Sequence, residues 1–510
     1  MANIFNSILV KKPGSSKQNL SHTYLGETTF GRLVPVLYED MVPGDRIRTL
    51  GSEVMVKFQP ILAPLYARMN CRIDYFFVPY RLLWDGWTQF ISPGSNIVGD
   101  HTTDPQRVMP TIGIDTFRSF DLSLNSLADY FGLPVDYVND GITYQAFWPD
   151  RETVAFPFSA YNMIWNFYYR NQSLQEDLPY KLVDGRNDNV EFCKLRYKNW
   201  ERDYFTAALP WSQKSLSDVQ IPFTGRGPVN YKGSTDGFEP TWVDGNGDRI
   251  RLKAIGNNGA IPSYSAYGQA NTEVFFPQGK AEYNPGNSLE AEITSGGITV
   301  NELRRLTNVQ HWLEVAATAG SRYKESILAL FGVHTPDYRL DQPEYLGGGV
   351  IPVVVNTVLQ NSESTENSPL GNYAGYGIAR GYAISKKYRV EEHGCLIGIA
   401  SFMPRSQYSQ GFPRAFAQKD ITDYYFPQFQ HLGEQELHNY ELYAYQEQGL
   451  KDTFGYLPRY AEKKYHPSTI HGNFRTNLSY WHMGRLFSAR PSLNEIFVSS
   501  ENSQERQKSH

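Results

Sequence analysis

Cys71-Arg72-Ile73-Asp74-Tyr75-Phe76-Phe77-Val78, closed by Pro79, is the stretch that decides the fold class. Ile73, Tyr75 and Phe77 fall two apart and share one face of an extended chain, a period that no helix has. Pro79 sits at the end of the run, where a missing N–H does no harm to a ladder. Working outward, Leu33, Val34, Val36 and Leu37 form another apolar run, which the turn Val42-Pro43-Gly44-Asp45 breaks. Val54, Val56 and Phe58 then alternate with Glu53, Met55 and Lys57, so three strands are expected between residues 30 and 79. After Gly347-Gly348-Gly349, β-like stretches return at residues 351–359, 373–389 and 394–402. Early strands whose partners arrive late predict long-range antiparallel pairing, the order of an elaborated sandwich or jelly roll.

What lies between differs in kind. Leu122, Leu124, Leu127, Tyr130 and Phe131 predict one short helix, and residues 163–170 another. Residues 214–298 are rich in Gly, Pro, Asn and Ser, with short β-like pieces at 250–255 and 274–277, and read as an inserted, loop-rich excursion. A helix is expected over residues 299–331, carrying Leu303, Leu306, Val309, Leu313 and Ala317 on one stripe, broken near Gly320 and stopped at Gly332. The expected organisation is an arm at 1–29, sheet with helical insertions at 30–213, the excursion at 214–298, helix and remaining strands at 299–403, and an aromatic-rich extension at 404–510. Its polar tail, 500–510, has the composition of a disordered segment.

Composition excludes several functions. The 510 residues carry 48 Lys and Arg against 53 Asp and Glu, a net charge of -5 that argues against a polybasic nucleic-acid-coating protein. Any anionic partner must be met by local patches. No apolar run approaches the roughly 18 residues of a membrane-spanning helix, and the mean hydropathy is -0.47. Lys11 and Lys12 follow the short apolar run at 8–10 where a signal peptide would have its charges first, so secretion by that route is not expected. Three cysteines, Cys71, Cys193 and Cys395, are too few and too far apart for a disulfide framework or a metal-binding CxxC pair. Cys71 and Cys395 lie in apolar β runs and read as core.

Catalysis has no local signature: phosphate loop, GxGxxG after a strand, HExxH and GxSxG are all missing from the sequence. Asp244, Asn246 and Asp248 copy the first three oxygens of an EF-hand loop, yet Arg249 replaces its Gly and Ile255 its closing Glu, so a hairpin turn explains them better. His466 and His471 lack a cysteine partner and read as solvated or hydrogen-bonded, and Glu391-Glu392-His393 reads as a turn between strands. No cofactor or metal site is expected. Carboxylates among aromatics would suit a glycosidase or a sugar-binding jelly-roll module, but no pairable motif supports either. Tyr424, Tyr425, Phe426, Phe429, Tyr440 and Tyr443 fit subunit contacts and core packing equally well.

Specific strings resemble the major capsid proteins of the Microviridae, the small single-stranded DNA bacteriophages, and their gokushovirus branch in particular. In order they are Ser21-His22-Thr23-Tyr24, Leu33-Val34-Pro35, Val42-Pro43-Gly44-Asp45 and Phe76-Phe77-Val78-Pro79-Tyr80-Arg81-Leu82-Leu83-Trp84. Asp203-Tyr204-Phe205-Thr206, Leu209-Pro210-Trp211, Arg339 with Pro343-Glu344-Tyr345-Leu346-Gly347-Gly348, His393-Gly394, Gln407-Tyr408-Ser409-Gln410-Gly411 and Arg490-Pro491 follow. The resemblance covers about residues 20–498. It implies an eight-stranded antiparallel jelly roll with long loop insertions and several short helices, sixty copies of which enclose circular single-stranded DNA in a shell of triangulation number one. It also implies a surface insertion at 214–298 that gathers at threefold axes for host attachment, with Trp242, Asp244, Asn246, Asp248, Tyr264 and Tyr267 on the protrusion. Lys11, Lys12 and Lys17 in the arm are candidates to face the DNA. The partners implied are further copies, the packaged DNA, a small basic DNA-binding protein, an internal scaffolding protein, a pilot protein and a host surface receptor, with assembly in the bacterial cytoplasm. Between Glu314 and Arg322-Tyr323 this chain reads Val-Ala-Ala-Thr-Ala-Gly-Ser where the branch carries charges.

Overall fold

The computed structural model describes residues 14, 16–57, 65–92, 107–213, 300–320, 322–359, 373–430 and 433–501, with short strands at 229–231, 241–243, 249–250, 282–284 and 289–291. The chain divides into two compact units, residues 1–214 with 314–510 and residues 215–313. Throughout, the architecture is mainly β, built from antiparallel pairs with a few helices.

Six strands form the main sheet of the first unit: β1 (Leu33–Met41), β2 (Gly51–Lys57), β3 (Met69–Pro79), β4 (Glu344–Leu359), β5 (Tyr373–Ile384) and β6 (Gly394–Pro404). Their order is β1-β6-β3-β4-β5-β2, with every neighbouring pair antiparallel. The deciding stretch lies at the centre. β3 pairs with β6 from Met69↔Pro404 to Pro79↔Gly394, and with β4 from Met69↔Val353 to Phe77↔Glu344.

Both faces of β3 are buried, and its alternation sorts side chains between two cores. Phe76 and Val78 join Leu33 of β1 and Cys395, Ile397 and Ile399 of β6 on one face. Cys71, Ile73, Tyr75 and Phe77 join Leu396, Ala400, Ile351 and Ala383 on the other. Each Val, Leu, Ile or Phe among them contributes about 1.5–3 kcal/mol of burial. Val54 and Val56 of β2 pack against the second core, and so do Val36, Leu37 and Met41 of β1. The two end strands thus meet one core, which requires a strongly curled sheet.

The first core is closed by α1 (Phe156–Ile164), whose residues are nearly all buried and which continues into a π-helical turn at Trp165–Tyr169. The expected helix at 163–170 is therefore only the end of an element that begins earlier, with Pro157 in its first turn, where the missing N–H is harmless. In the segment around Leu122, only Leu127–Tyr130 is helical; Leu122 is buried from irregular chain and Leu124 is exposed in a turn. The glycine triplet lies inside β4 rather than before it. A Cβ on Gly348 would stand 2.3 Å from the Ile73 carbonyl oxygen, and one on Gly349 would stand 2.7 Å from Ala383 Cα.

α2 (Val300–Thr318) and α3 (Tyr323–Phe331) are the two parts of the expected helix, with Gly320 at φ +96° in the expected break and Gly332 at φ +67° after the end. Of the apolar stripe, Leu313 and Ala317 are buried while Leu303 and Val309 are exposed, so the periodicity overstates the packed face. In the second unit, Thr241–Val243 pairs antiparallel with Arg249–Ile250, the hairpin expected in place of an EF-hand, and also with Glu282–Asn284. The β-like pieces at 251–255 and 274–277 lie outside the described residues.

Candidate functional site

The extension after β6 brings β7 (Glu434–His438) and β8 (Thr453–Pro458) together as an antiparallel ribbon. They help enclose a third core with Tyr204, Phe205, Tyr408, Leu437, Phe454 and Phe497. The chain end is tied back to the body: Trp200 N donates to Val498 O at 2.9 Å and Ser500 N to Lys198 O at 3.2 Å. Ser500, counted with the polar tail, is buried, whereas residues 502–510 lie outside the described residues.

Buried ionisable groups are where catalytic chemistry would show itself, and here they hold the framework together. Asp74 receives Arg72 Nε on both oxygens, at 3.0 and 2.8 Å, and the hydroxyls of Tyr345 at 3.0 Å and Tyr169 at 3.2 Å. Asp203 accepts from the backbone N–H of Phe205 and Thr206, from Thr206 Oγ1 at 3.0 Å and from Tyr408 Oη at 2.6 Å. Glu441 accepts from Tyr204 Oη at 2.8 Å and Arg414 Nη1 at 3.1 Å; burial raises its carboxyl above the usual range against the pull of both. Burial lowers Lys198 to about 8, with Arg72 adding to the shift. Burial also pushes the Cys71 and Cys193 thiols up to about 12 and Cys395 further, the reverse of an activated nucleophile.

Two of the strings singled out in the sequence take part in packing, and an arginine outside them does the same. Arg81, in the helical turn Tyr80–Leu83 that follows β3, pairs with Glu392 at 2.7 Å and Asp341 at 2.8 Å, tying Phe76-…-Trp84 to residues beside two later motifs. A Cβ on Gly394 would lie 2.4 Å from the Val78 carbonyl oxygen, which accounts for His393-Gly394. Arg485 sits over the rings of Phe497 at 4.2 Å, Trp200 at 5.1 Å and Phe487 at 5.3 Å, held by aromatic faces rather than a carboxylate.

The candidate residues scatter. Lys17 is exposed, while Lys11 and Lys12 lie outside the described residues. Trp242 is in the strand Thr241–Val243; Asp244, Asn246, Asp248, Tyr264 and Tyr267 lie outside them. No group of three His, Cys, Asp or Glu among the described residues could hold a metal ion. His466 and His471 are exposed, each ring hydrogen-bonded within its own loop.

Tyr424 and Tyr425 are exposed, and Phe426, Phe429, Tyr440 and Tyr443 are half-buried, so these aromatics sit at the surface of the extension rather than in its core. Phe412, Phe416 and Ile421, which sequence reading passed over, are exposed in the same segment.

A sequence profile described as "Capsid protein (F protein)" matches residues 10–508. The chain belongs to that capsid protein family. Its similarity to curated members is spread over its length. Capsid protein VP1 of Bdellovibrio phage phiMH2K is 33% identical over 96% of this chain and 89% of its own. Capsid protein VP1 of Chlamydia phage 1 is 33% identical over 98% and 91%, and that of Spiroplasma virus 4 is 25% identical over 95% and 88%. These are Microviridae capsid proteins, so the expected family stands. The capsid family is structural, not enzymatic, and its work is self-assembly into the shell of the virion. No helix among the described residues is long and apolar enough to cross a membrane. The functional site of such a protein is its surface, which sequence motifs for catalysis have no means of finding.

Proposed function

We propose that this capsid protein forms an eight-stranded jelly roll, sixty copies of which close an icosahedral shell of triangulation number one around circular single-stranded DNA. The family match over residues 10–508 carries the reading. Support for the jelly roll comes from the Greek-key return of β6 between β1 and β3, and from end strands that meet one core. A closed shell needs several separate contact patches on each subunit, and the exposed aromatics of the extension suit one of them.

In this reading the arm with Lys11, Lys12 and Lys17 faces the DNA. The insertion at 214–298 protrudes at threefold axes and touches a host surface receptor, as in gokushoviruses. Because the net charge is -5, packaging draws on a small basic DNA-binding protein, and assembly in the host bacterial cytoplasm uses an internal scaffolding protein and a pilot protein.

Co-expression with neighbouring reading frames tests it, followed by sedimentation and electron microscopy of nuclease-treated material. Uniform icosahedral particles holding protected single-stranded DNA are expected; a monomer or dimer in the presence of those partners overturns it. Deleting residues 214–298 should abolish host adsorption while particles still form, and adsorption that survives the deletion removes the attachment role.

A further inference from the structure

Tyr66, Arg68 and Asn70 are exposed while Leu65, Ala67 and Met69 turn inward, so the chain entering β3 presents a polar face with period two. Arg405 follows β6. Its N–H donates to Arg68 O at 2.8 Å, continuing the Met69↔Pro404 register by one step, so the two arginines stand directly opposite each other across the sheet. Both are exposed, and no carboxylate among the described residues pairs with either. Like charges facing each other across a ladder repel, and an anion between them removes the cost.

Further along the same face Arg72 pairs with Asp74 at 2.8 Å, and Lys198 Nζ reaches Ser401 Oγ at 3.2 Å. Asp74 is thereby taken up by Arg72, Tyr169 and Tyr345, which leaves the stripe cationic. Glu201 is exposed and close enough to be felt by Lys198, but it pairs with none of these cations within 4 Å.

Beside the arginines lies an aromatic platform. Tyr66 N donates to Trp481 O at 2.7 Å, and the two rings stand 5.8 Å apart with 37° between their planes. Tyr66 is 61% exposed, and Tyr480, 45% exposed, adjoins Trp481 at 6.3 Å. Arg475 is exposed on the same loop as Trp481 and also lacks a carboxylate partner among the described residues.

Paired cations with open aromatic faces next to them match a strand of phosphates whose bases are free to stack, which is the chemistry of single-stranded nucleic acid. We infer that Arg68 and Arg405, with Arg475 alongside, grip the phosphates of single-stranded DNA while Tyr66 and the neighbouring Tyr480 stack its bases. This site rests on the proposed enclosure of single-stranded DNA and uses residues other than the lysines of the arm.

Full-length chain purified as unassembled subunits is titrated with a fluorescein-labelled oligo(dT) of about 12 nucleotides, by anisotropy across a salt series. Removing one arginine–phosphate pair should shallow the log–log salt slope by about 0.7, so Arg68→Gln with Arg405→Gln should flatten it by about 1.4. Tyr66→Ala, an exposed position chosen to spare the fold, should weaken binding about 5- to 150-fold, the range for removing one ring from beneath a stacked base. Far-UV circular dichroism checks that both variants are folded. Wild-type affinity and slope in both variants overturn the site while leaving DNA enclosure standing. Failure of the parent chain to bind oligo(dT) overturns the site, whereas enclosure of DNA is overturned only by particles that protect none. Equal, residue-dependent binding of duplex DNA or of poly-glutamate overturns the assignment to single strands and points to a different polyanion.

Discussion

Gly348→Ala should be among the most damaging single-methyl additions to the sheet, because its Cβ has nowhere to go. It would lie 2.3 Å from Ile73 O and 3.1 Å from Asp74 Cα, both backbone atoms of the strand that β4 pairs with. Ordinary carbon contacts begin near 3.4 Å, so β3 and β4 must part by roughly 1 Å against a normal strand spacing of about 4.8 Å. Overpacking of this kind costs about 1–3 kcal/mol, and one or two strained ladder bonds add about 1 kcal/mol each, for a total of about 2–5 kcal/mol. Gly14→Ala is the control, since nothing lies within 4 Å of a Cβ there. Urea denaturation of full-length subunits, followed by intrinsic fluorescence, should show a clearly lower midpoint and reduced soluble yield for Gly348→Ala alone. Matching midpoints for the two variants would refute the claim that the triplet exists for close strand approach.

Burial, and then the neighbouring Glu314 carboxylate, raise Glu434 from 4.5 to about 7, and its Oε2 is enclosed with no hydrogen-bond partner. A carboxyl raised in the folded state stabilises below its unfolded pKa, and that stability is lost as pH rises through the folded one. Glu434→Gln should therefore gain on the parent between about pH 5 and pH 8, and a constant difference between denaturation midpoints over that window would contradict it. Tyr408→Phe removes the 2.6 Å donor to the buried Asp203 carboxylate and should cost about 1.5–3 kcal/mol in chemical denaturation. Arg485→Lys exchanges a planar cation lying 4.2 Å from the Phe497 ring for a point charge and should cost about 1–2 kcal/mol by the same measurement. Cys71, Cys193 and Cys395 are all buried, so iodoacetamide should label none of them until denaturant is added, as read by mass spectrometry.

The strands were legible wherever one face carried the pattern: Ile73, Tyr75 and Phe77 placed β3, and the turn Val42-Pro43-Gly44-Asp45 ended β1. What periodicity missed was set by distant neighbours. Gly348 reads as a loop signal until Ile73, some 275 residues earlier, is known to lie against it. Leu303 and Leu313 fall on one broad apolar stripe, although only the latter is buried. The candidate surface was hardest to see, because Arg68 and Arg405 become a pair only through the register of β3 and β6. The alternation of Tyr66, Arg68 and Asn70 was the one signal of it in the sequence.

The placing of β3 also sets a clock for biosynthesis. Both strands that flank it, β4 and β6, are encoded more than 260 residues after Pro79. At bacterial synthesis speeds of about 5–20 residues per second, Phe76-Phe77-Val78 waits on the order of 13–50 s with neither edge paired. An apolar, β-prone segment in that condition is a template for the wrong partner, above all the same segment of a nascent chain on the next ribosome. A protein needed in many copies from one message thus carries its aggregation hazard early in its sequence, and its yield should respond to holding chaperones more than to any change in the stability of the finished subunit.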